Sequence, residues 1–137
     1  MFSRLVLSFF VLSALLAVAL AEHVPRSAHH KDELHARGKP KGRGGRGTWY
    51  TPGLGNCGGH NNSKDMVVAL STKSYGGGKY CGKKIKITNK KNGKSCTATI
   101  VDSCPGCAAG DLDLSPAAFK KMAPLDDGVM PVDWDFV

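Results

Sequence analysis

The stretch that decides the fold is Cys96–Lys121, with the sequence CTATIVDSCPGCAAGDLDLSPAAFKK. Its first residues alternate between polar and apolar side chains, which predicts a half-buried strand that ends near Asp102. A Cys-Pro-Gly-Cys loop follows, and Asp113 then precedes a helix that Ser115 is expected to cap. The two aspartates lie eleven residues apart, each at the end of a strand, so we expect them to converge on one surface groove.

Short strand signals dominate the flanking sequence. Apolar or alternating runs favour strands at 47–51, 66–70, 83–88, 96–101 and 129–137. Asn92-Gly93 is a hairpin-turn signal, while 71–75 and 115–122 are typical of short helical segments. Many short strands with Gly-rich turns and few helices predict a small all-β barrel.

The first residues predict a secretory signal peptide at 1–21. Arg4 supplies a positive charge, Leu5–Leu20 is almost wholly apolar, and Ala19-Leu20-Ala21 is a small-x-small cleavage site. We therefore expect a secreted, extracellular protein that has no membrane association after cleavage. The sequence KDEL at 31–34 is internal, so it does not act as a retention signal.

Residues 22–47 are rich in Gly, Pro, His, Lys and Arg and have no apolar periodicity, which predicts a disordered basic linker. Seven Lys/Arg face three acidic residues in it. The GRGGRG segment at 42–47 is of a type that follows nucleic-acid backbones. Behind a signal peptide, a solvated linker, a pro-segment or a weak tether to acidic wall polymers is favoured instead, and we expect no nucleic-acid partner.

Residues 48–137 form the predicted folded domain. They contain no Glu, no Arg and a single histidine, His60, so acid–base chemistry falls to Asp, Tyr, Lys or that histidine. Asn61 begins a glycosylation sequon, in agreement with secretion. Six lysines around the 83–94 hairpin are either a solvated edge or a contact for anionic wall polymers.

Five cysteines in an oxidising compartment predict two disulfides and one remaining thiol. Cys104 and Cys107 flank a Pro-Gly turn that can bring them together, and we pair Cys57 with Cys81. Cys96 is then a buried free thiol. A zinc site would need a second cysteine pair, and a thioredoxin-type motif would need a helix directly after it. We therefore expect no metal and no cofactor.

Four motifs in order resemble a known family: GTWYTPGLGNCG (47–58), YCGKKIKI (80–87), IVDSCPGC (100–107) and GDLDLSPAAF (110–119). Together they are similar to expansins, barwin and the rare lipoprotein A group, and most of all to fungal loosenins, which are single-domain expansin-like proteins. The resemblance covers 48–137. It implies an all-β fold, a six-stranded double-psi β-barrel with one or two short helices.

The resemblance also implies a function and its residues. Proteins of this kind bind cell-wall polysaccharide such as β-glucan, cellulose or chitin and loosen it. The principal catalytic aspartate corresponds to Asp113 and a second one to Asp102, while Thr48 and Tyr50 match the family's opening strand. Trp49 and Trp134 are added as aromatic residues that could stack on sugar rings, although core packing is the default for large aromatic side chains.

Hydrolysis would require two carboxylates flanking the scissile bond. The strand Thr48–Thr51, where related inverting cellulases carry the base, has none. We therefore expect loosening without hydrolysis by a monomer. Three alternatives stay open: weak glycosidase activity with Asp102 as base, lytic transglycosylation, and a barwin-like binding or protease-inhibitor module. Asp113 could also be only an N-cap or turn residue, and Asp102 only a loop anchor.

Overall fold

The computed structural model describes residues 39–137; the predicted signal peptide and residues 22–38 of the predicted linker lie outside the described residues. Six strands and two short α-helices make up the described part. The strands are β1 Gly42–Trp49, β2 Val67–Ser71, β3 Lys84–Asn89, β4 Ser95–Cys104, β5 Leu112–Leu114 and β6 Met130–Phe136. The helices are α1 Thr72–Tyr75 and α2 Pro116–Lys120, and 3-10 turns lie at Gly76–Gly78 and Leu125–Asp127.

The six strands close into a barrel in the order β1-β5-β2-β4-β3-β6. Two of the pairings, β1 with β5 and β2 with β4, are parallel, and the other four are antiparallel. Closure satisfies the hydrogen-bonding groups that an open sheet would leave at its edges. The predicted fold, a six-stranded double-psi β-barrel with two short helices, is confirmed.

The barrel interior is filled by the inward-facing side chains of alternate strand positions. β3 and β4 supply Ile85, Ile87, Ala98 and Ile100, all essentially inaccessible to solvent, as the alternation predicted. α2 covers one end with Phe119, which is fully buried. Ser115 caps this helix by accepting a hydrogen bond from the Ala118 amide.

Trp134 belongs to this core, so the prediction that it contacts polysaccharide is wrong. Only 1% of its surface is exposed, and its indole N–H donates to the Gly110 carbonyl at 2.9 Å. The alternation of β6 turns positions 130, 132 and 134 inward, because the side-chain period of a strand is two. The barrel thus uses its largest side chain as core packing.

β1 begins at Gly42, five residues before the predicted strand start at Gly47, so Gly42–Gly47 of the predicted linker lie in the barrel wall. Three glycines of this segment face inward without room for a side chain. A Cβ added to Gly42 would lie 2.0 Å from Trp134 Nε1, and a Cβ added to Gly45 would lie 2.1 Å from the Gly110 carbonyl oxygen. The absence of apolar side chains, which suggested disorder, here permits close backbone packing.

Both predicted cysteine pairs are joined, Cys57 to Cys81 and Cys104 to Cys107. Cys96 is a free, partly buried thiol beside α2. Burial raises its pKa to about 11, against a smaller opposite effect of the Lys121 charge, so the thiol stays protonated at neutral pH. Between residues 39 and 137, no helix is long and apolar enough to cross a membrane.

Candidate functional site

A row of four side chains crosses four adjacent strands on the outside of the barrel. Asp113 of β5 lies between Thr48 of β1 and Ala69 of β2, and Ala69 in turn pairs with Asp102 of β4. Ala69 faces outward because its neighbours Val68 and Leu70 point into the core. The two carboxylates therefore flank a single small side chain, that of Ala69, of which only 3% is exposed. We call these four residues the carboxylate row.

A β-bulge in β4 puts Asp102 into this row. β2 and β4 are in register at Val68 and Ile100, but the next residue of β2, Ala69, pairs with Asp102, so Val101 is an extra residue. Without the bulge, Asp102 would share the inward phase of Ile100. Bulges commonly redirect a side chain in this way. The alternating sequence alone did not reveal this inserted residue.

Asp113 is half-buried within this row. Burial raises the pKa of its carboxyl group above the ordinary 3.8, and the hydrogen bond from Thr48 partly counteracts this. Desolvation disfavours the charged form of a carboxyl group, so Asp113 keeps its proton to a higher pH than a solvated aspartate. Its position between two strands fixes the direction in which that proton is offered.

Thr48 connects Asp113 to the backbone. Its hydroxyl lies 2.8 Å from Asp113 Oδ1 and 3.4 Å from the Leu112 carbonyl oxygen. A hydroxyl has one hydrogen and two acceptor lone pairs. Thr48 can therefore donate to an ionised Asp113, or accept from a protonated Asp113 while donating to Leu112. The contact accommodates both protonation states without moving the backbone.

Tyr50 lies on the same face of the chain as Thr48, two residues further along. Partial burial and the charges of Asp102 and Asp113 raise its pKa to about 12. The phenol is therefore a permanent O–H donor beside the row. Thr48, Asp113 and Asp102 thus lie on neighbouring strands with Tyr50 near both carboxylates, and their roles at a polysaccharide site stay predictions.

Asp102 is tied to the loop that follows β1. Its Oδ1 accepts hydrogen bonds from the amides of Asn56 and Ser103 at 2.9 and 2.8 Å. The Asn56 side chain also contacts the Ser103 hydroxyl. Asp102 thus has the loop-anchoring geometry that was the alternative to a catalytic role, although only its Oδ1 is engaged in this way.

A shallow cavity of about 280 Å³ lies beside the row along β1 and shares Thr48 with it. Its lining includes Thr48, Arg46 and the Cys104–Cys107 loop. The guanidinium of Arg46 lies 3.1 Å from Asp111 Oδ2, and Asp111 also accepts the Arg46 and Ala108 amides. Asp111 therefore fastens the disulfide loop to β1 and fixes the far wall of the cavity.

The pKa of Asp111 is shifted in the opposite direction from that of Asp113. Burial alone would raise it, but the hydrogen bonds from Arg46 and Ala108, together with the charge of Arg46, hold it below 3.8. Neither Asp111 nor Arg46 was identified as a site residue from the sequence. Extending the alternation of Thr48 and Tyr50 back by two residues would have placed Arg46 on the same face.

Trp49 lies apart from the row. It is 38% exposed, and its indole N–H donates to the Leu125 carbonyl at 3.0 Å, at the end of the barrel that carries α2. Alternation gives it the opposite phase to Thr48 and Tyr50. Its predicted contact with polysaccharide therefore stays a prediction for a neighbouring surface. In the part of the chain that the structure describes, no three His, Cys, Asp or Glu residues cluster as a metal site would require.

The barrel is similar in sequence to several known proteins. Ripening-related protein 6 of Oryza sativa subsp. japonica is 37% identical over 81 residues, which cover 55% of this chain and 48% of that protein. The chain thus spans about half the length of this relative. The papain inhibitor of Streptomyces mobaraensis is 35% identical over 101 residues, which cover 68% of this chain and 70% of the inhibitor.

Solved structures agree with the sequence comparisons. The crystal structure of an Asp-to-Asn variant of Clavibacter michiganensis expansin in complex with cellohexaose aligns with a TM-score of 0.62 and 31% identity. The alignment covers 69% of this chain and 49% of the expansin. Residues 43–134 match the family model described as "Lytic transglycolase". The chain therefore belongs to this family of double-psi β-barrels, and its fold is expansin-like.

Proposed function

We propose that this chain is a secreted protein that binds a neutral cell-wall polysaccharide, a β-glucan or chitin, across the carboxylate row and loosens it without hydrolysis. The observation that carries the proposal is the environment of Asp113. A half-buried carboxyl group with a raised pKa, a hydroxyl at 2.8 Å and a phenol nearby is a proton-sharing site open to a sugar chain.

Hydrogen bonds from the polymer's hydroxyl groups to these donors and acceptors would replace hydrogen bonds between polymer chains. Asp113 offers a proton to a sugar hydroxyl or glycosidic oxygen, Thr48 adjusts to its charge, and Tyr50 donates from the other side. Each such contact competes with a hydrogen bond between polymer chains. Because Thr48, Asp102 and Asp113 are each partly exposed, a long chain can reach the row from solvent without threading.

The placement of Asp102 argues against a hydrolytic pair. Glycosidases need a second carboxylate that is free to act as a base or nucleophile. Asp102 lies two strands from Asp113, roughly 10 Å between backbones at the usual strand spacing. Its Oδ1 is held by two backbone amides. These two observations support the proposal that Asp113 acts without an opposing base.

Replacing Asp113 with Asn tests the proposal. The change keeps the side-chain shape but removes the titrating proton, so we expect weakening of cellulose or chitin filaments to fall at least tenfold, a conservative figure for a lost acid–base group. Asp126→Asn, at an exposed position in a 3-10 turn, is the matched control. Thermal unfolding of all three proteins checks that they are equally folded.

Two outcomes would contradict the proposal. Full filament weakening by a folded Asp113→Asn protein would show that the carboxyl group is expendable. Release of reducing sugars by the wild type, lost in Asp113→Asn, would show that the site cleaves bonds. Either result is read directly from the same incubation of protein with polymer.

A second function, protease inhibition, is favoured by one comparison. The Streptomyces papain inhibitor is matched over 70% of its length, so its fold and that of this chain coincide over most of the inhibitor. In that case surface loops would contact the protease and Asp113 would not matter. Inhibition of papain by both wild type and Asp113→Asn, without retention on cellulose or chitin, would favour this function over the first.

A further inference from the structure

A second cavity, of about 260 Å³, lies away from the carboxylate row and shares no residue with it. Five residues line it: Lys39, Lys79, Tyr80, Lys83 and Phe136. Phe136 ends β6, and Tyr80 lies in the segment before β3. We call this feature the lysine pocket. Nothing in the proposed function uses it, and the inference below does not depend on that function.

The floor of the lysine pocket is aromatic. The ring centroids of Tyr80 and Phe136 lie 5.0 Å apart, with their planes inclined at 48°. Phe136 is supported from below by the edge of the buried Trp134, at 6.0 Å between centroids. Two rings inclined in this way offer apolar contact to a ligand but not the single flat platform on which a nucleobase would stack.

The rim of the lysine pocket is cationic. Lys39 Nζ lies 5.6 Å from the centre of the Phe136 ring, and Lys79 Nζ lies 5.6 Å from that of Tyr80. Within residues 39–137, Lys39, Lys79 and Lys83 make no ion pair. The adjacent acidic residue of β6, Asp135, is already paired with Arg43 at 3.6 Å. Three cations thus surround the aromatic floor without a partner carboxylate.

The segment that carries Lys79 and Tyr80 is held in place. The disulfide from Cys81 to Cys57 ties it to the loop after β1, and its backbone bonds run from Gly82 to Ile100 and from Lys83 to Tyr80. The pocket walls are therefore largely formed before a ligand arrives, which reduces the entropy lost on binding. The three lysines are exposed, but the two rings between them are partly buried and held by the fold.

We propose that the lysine pocket is a binding site for a carboxylated sugar unit of an anionic polysaccharide, a polyuronate. The two rings contact the apolar face of the sugar, and the ammonium groups of Lys39, Lys79 and Lys83 bind its carboxylate and that of the next unit. A volume of about 260 Å³ lies just below the usual range for drug-sized ligands, so it fits one unit of a chain that continues across the surface.

Titration with an oligogalacturonate, followed by NMR of the Tyr80 and Phe136 rings, tests this site. We expect their resonances to shift, with much smaller shifts for a neutral oligosaccharide of equal length. The double variant Lys79→Glu/Lys83→Glu should weaken binding roughly tenfold, since an exposed ion pair contributes up to about fivefold. Raising the salt concentration should weaken wild-type binding as well.

The matched control is Lys91→Glu/Lys94→Glu, which changes the net charge equally on the exposed β3–β4 hairpin. It should leave the affinity within about twofold of wild type, since screening limits the reach of exposed charges. An equal loss in both double variants would overturn the site in favour of general charge attraction.

The aromatic floor has its own test. Tyr80→Ala should weaken oligogalacturonate binding but leave the weak, non-specific attraction of polyglutamate unchanged. Polyglutamate or an RNA oligonucleotide that binds as tightly as oligogalacturonate and is equally sensitive to Tyr80→Ala would overturn the assignment to a sugar. Asp113→Asn should retain oligogalacturonate binding, so failure of the proposed function and failure of this inference are distinguishable.

Discussion

The two halves of β1 differ in what they contribute to the barrel. From Gly42 to Gly47 the inward positions are glycines, and Trp134 and the Gly110 carbonyl pack directly against the backbone. From Thr48 onward the outward side chains, those of Thr48 and of Tyr50 just after the strand, lie near Asp113. In the first half, close packing of the fold leaves no room for a side chain at the inward positions. In the second half, the proposed function depends on the outward side chains. A single strand therefore holds the barrel closed and builds its site.

The largest effect is expected from Gly45→Ala in the glycine half. The added methyl group would meet the Gly110 carbonyl oxygen at 2.1 Å, and a backbone atom has little freedom to move. Overpacking of this kind costs about 3 kcal/mol. Denaturant unfolding of wild type and variant measures the difference.

Gly53→Ala is the control for this substitution. Gly53 has no neighbouring atom within 4 Å of an added Cβ, so the same chemical change should leave stability nearly unaltered. Equal stability of the two variants would show that β1 can shift away from the 110–111 segment, and the comparison between the two halves of the strand would lose its physical basis.

Asp111→Asn should have the next largest effect, because Arg46 and Asp111 link the strand to the disulfide loop. The buried carboxylate accepts two backbone amides and the Arg46 side chain. Hydrogen bonds to a charged group contribute about 2 kcal/mol, and a neutral amide retains only part of this. Chemical denaturation at neutral pH gives the loss, and unchanged stability would show that the loop is held by its disulfide alone.

The pH dependence of stability should distinguish Asp111 from Asp113. The pKa of Asp111 is lowered by folding, so its contribution is fully present above 3.8 and is lost as the pH falls through the folded-state pKa. The pKa of Asp113 is raised, so the folded state is destabilised as the pH rises from 3.8 through the folded-state pKa. Unfolding free energies across acid pH for wild type, Asp111→Asn and Asp113→Asn separate the two contributions.

If Asp113 acts as the proton donor, filament weakening should follow the same window. Activity is expected to be highest where Asp113 is protonated and to decline as the pH rises through its raised pKa. Activity measured against pH on one cellulose preparation gives the profile. An activity that is flat across this range would show that the protonation state of Asp113 has no part in loosening.

The smallest effect is expected from Thr48→Val, which removes the hydroxyl and keeps the shape. The hydrogen bond from Thr48 lowers the pKa of Asp113, so its loss should raise that pKa further and move the activity profile to higher pH. NMR titration of the Asp113 carboxyl carbon measures the shift. Thr97→Val on the outer face of β4 is the control and should leave the Asp113 titration unchanged.

Much of the barrel was predictable because its signals are local. Alternation located Ile85, Ile87, Ala98 and Ile100 in the core, and the Pro-Gly turn between Cys104 and Cys107 indicated their pairing. The helix cap at Ser115 also depends only on adjacent residues. The assignment of Trp134 to a sugar-binding surface was wrong because an aromatic residue on a strand suits either face, and only its phase within the sheet decides between them.

The sequence by itself determined which residues alternate along each strand and supplied Asp113 and Asp102 for the row. Only the tertiary structure decided which strands are neighbours, and hence that Ala69 separates the two carboxylates. It also decided that a glycine-rich segment is a strand, because the room that Gly42 and Gly45 leave is filled by Trp134 and Gly110 from distant parts of the chain. Register, bulges and close backbone contacts arise between segments, so no single segment encodes them.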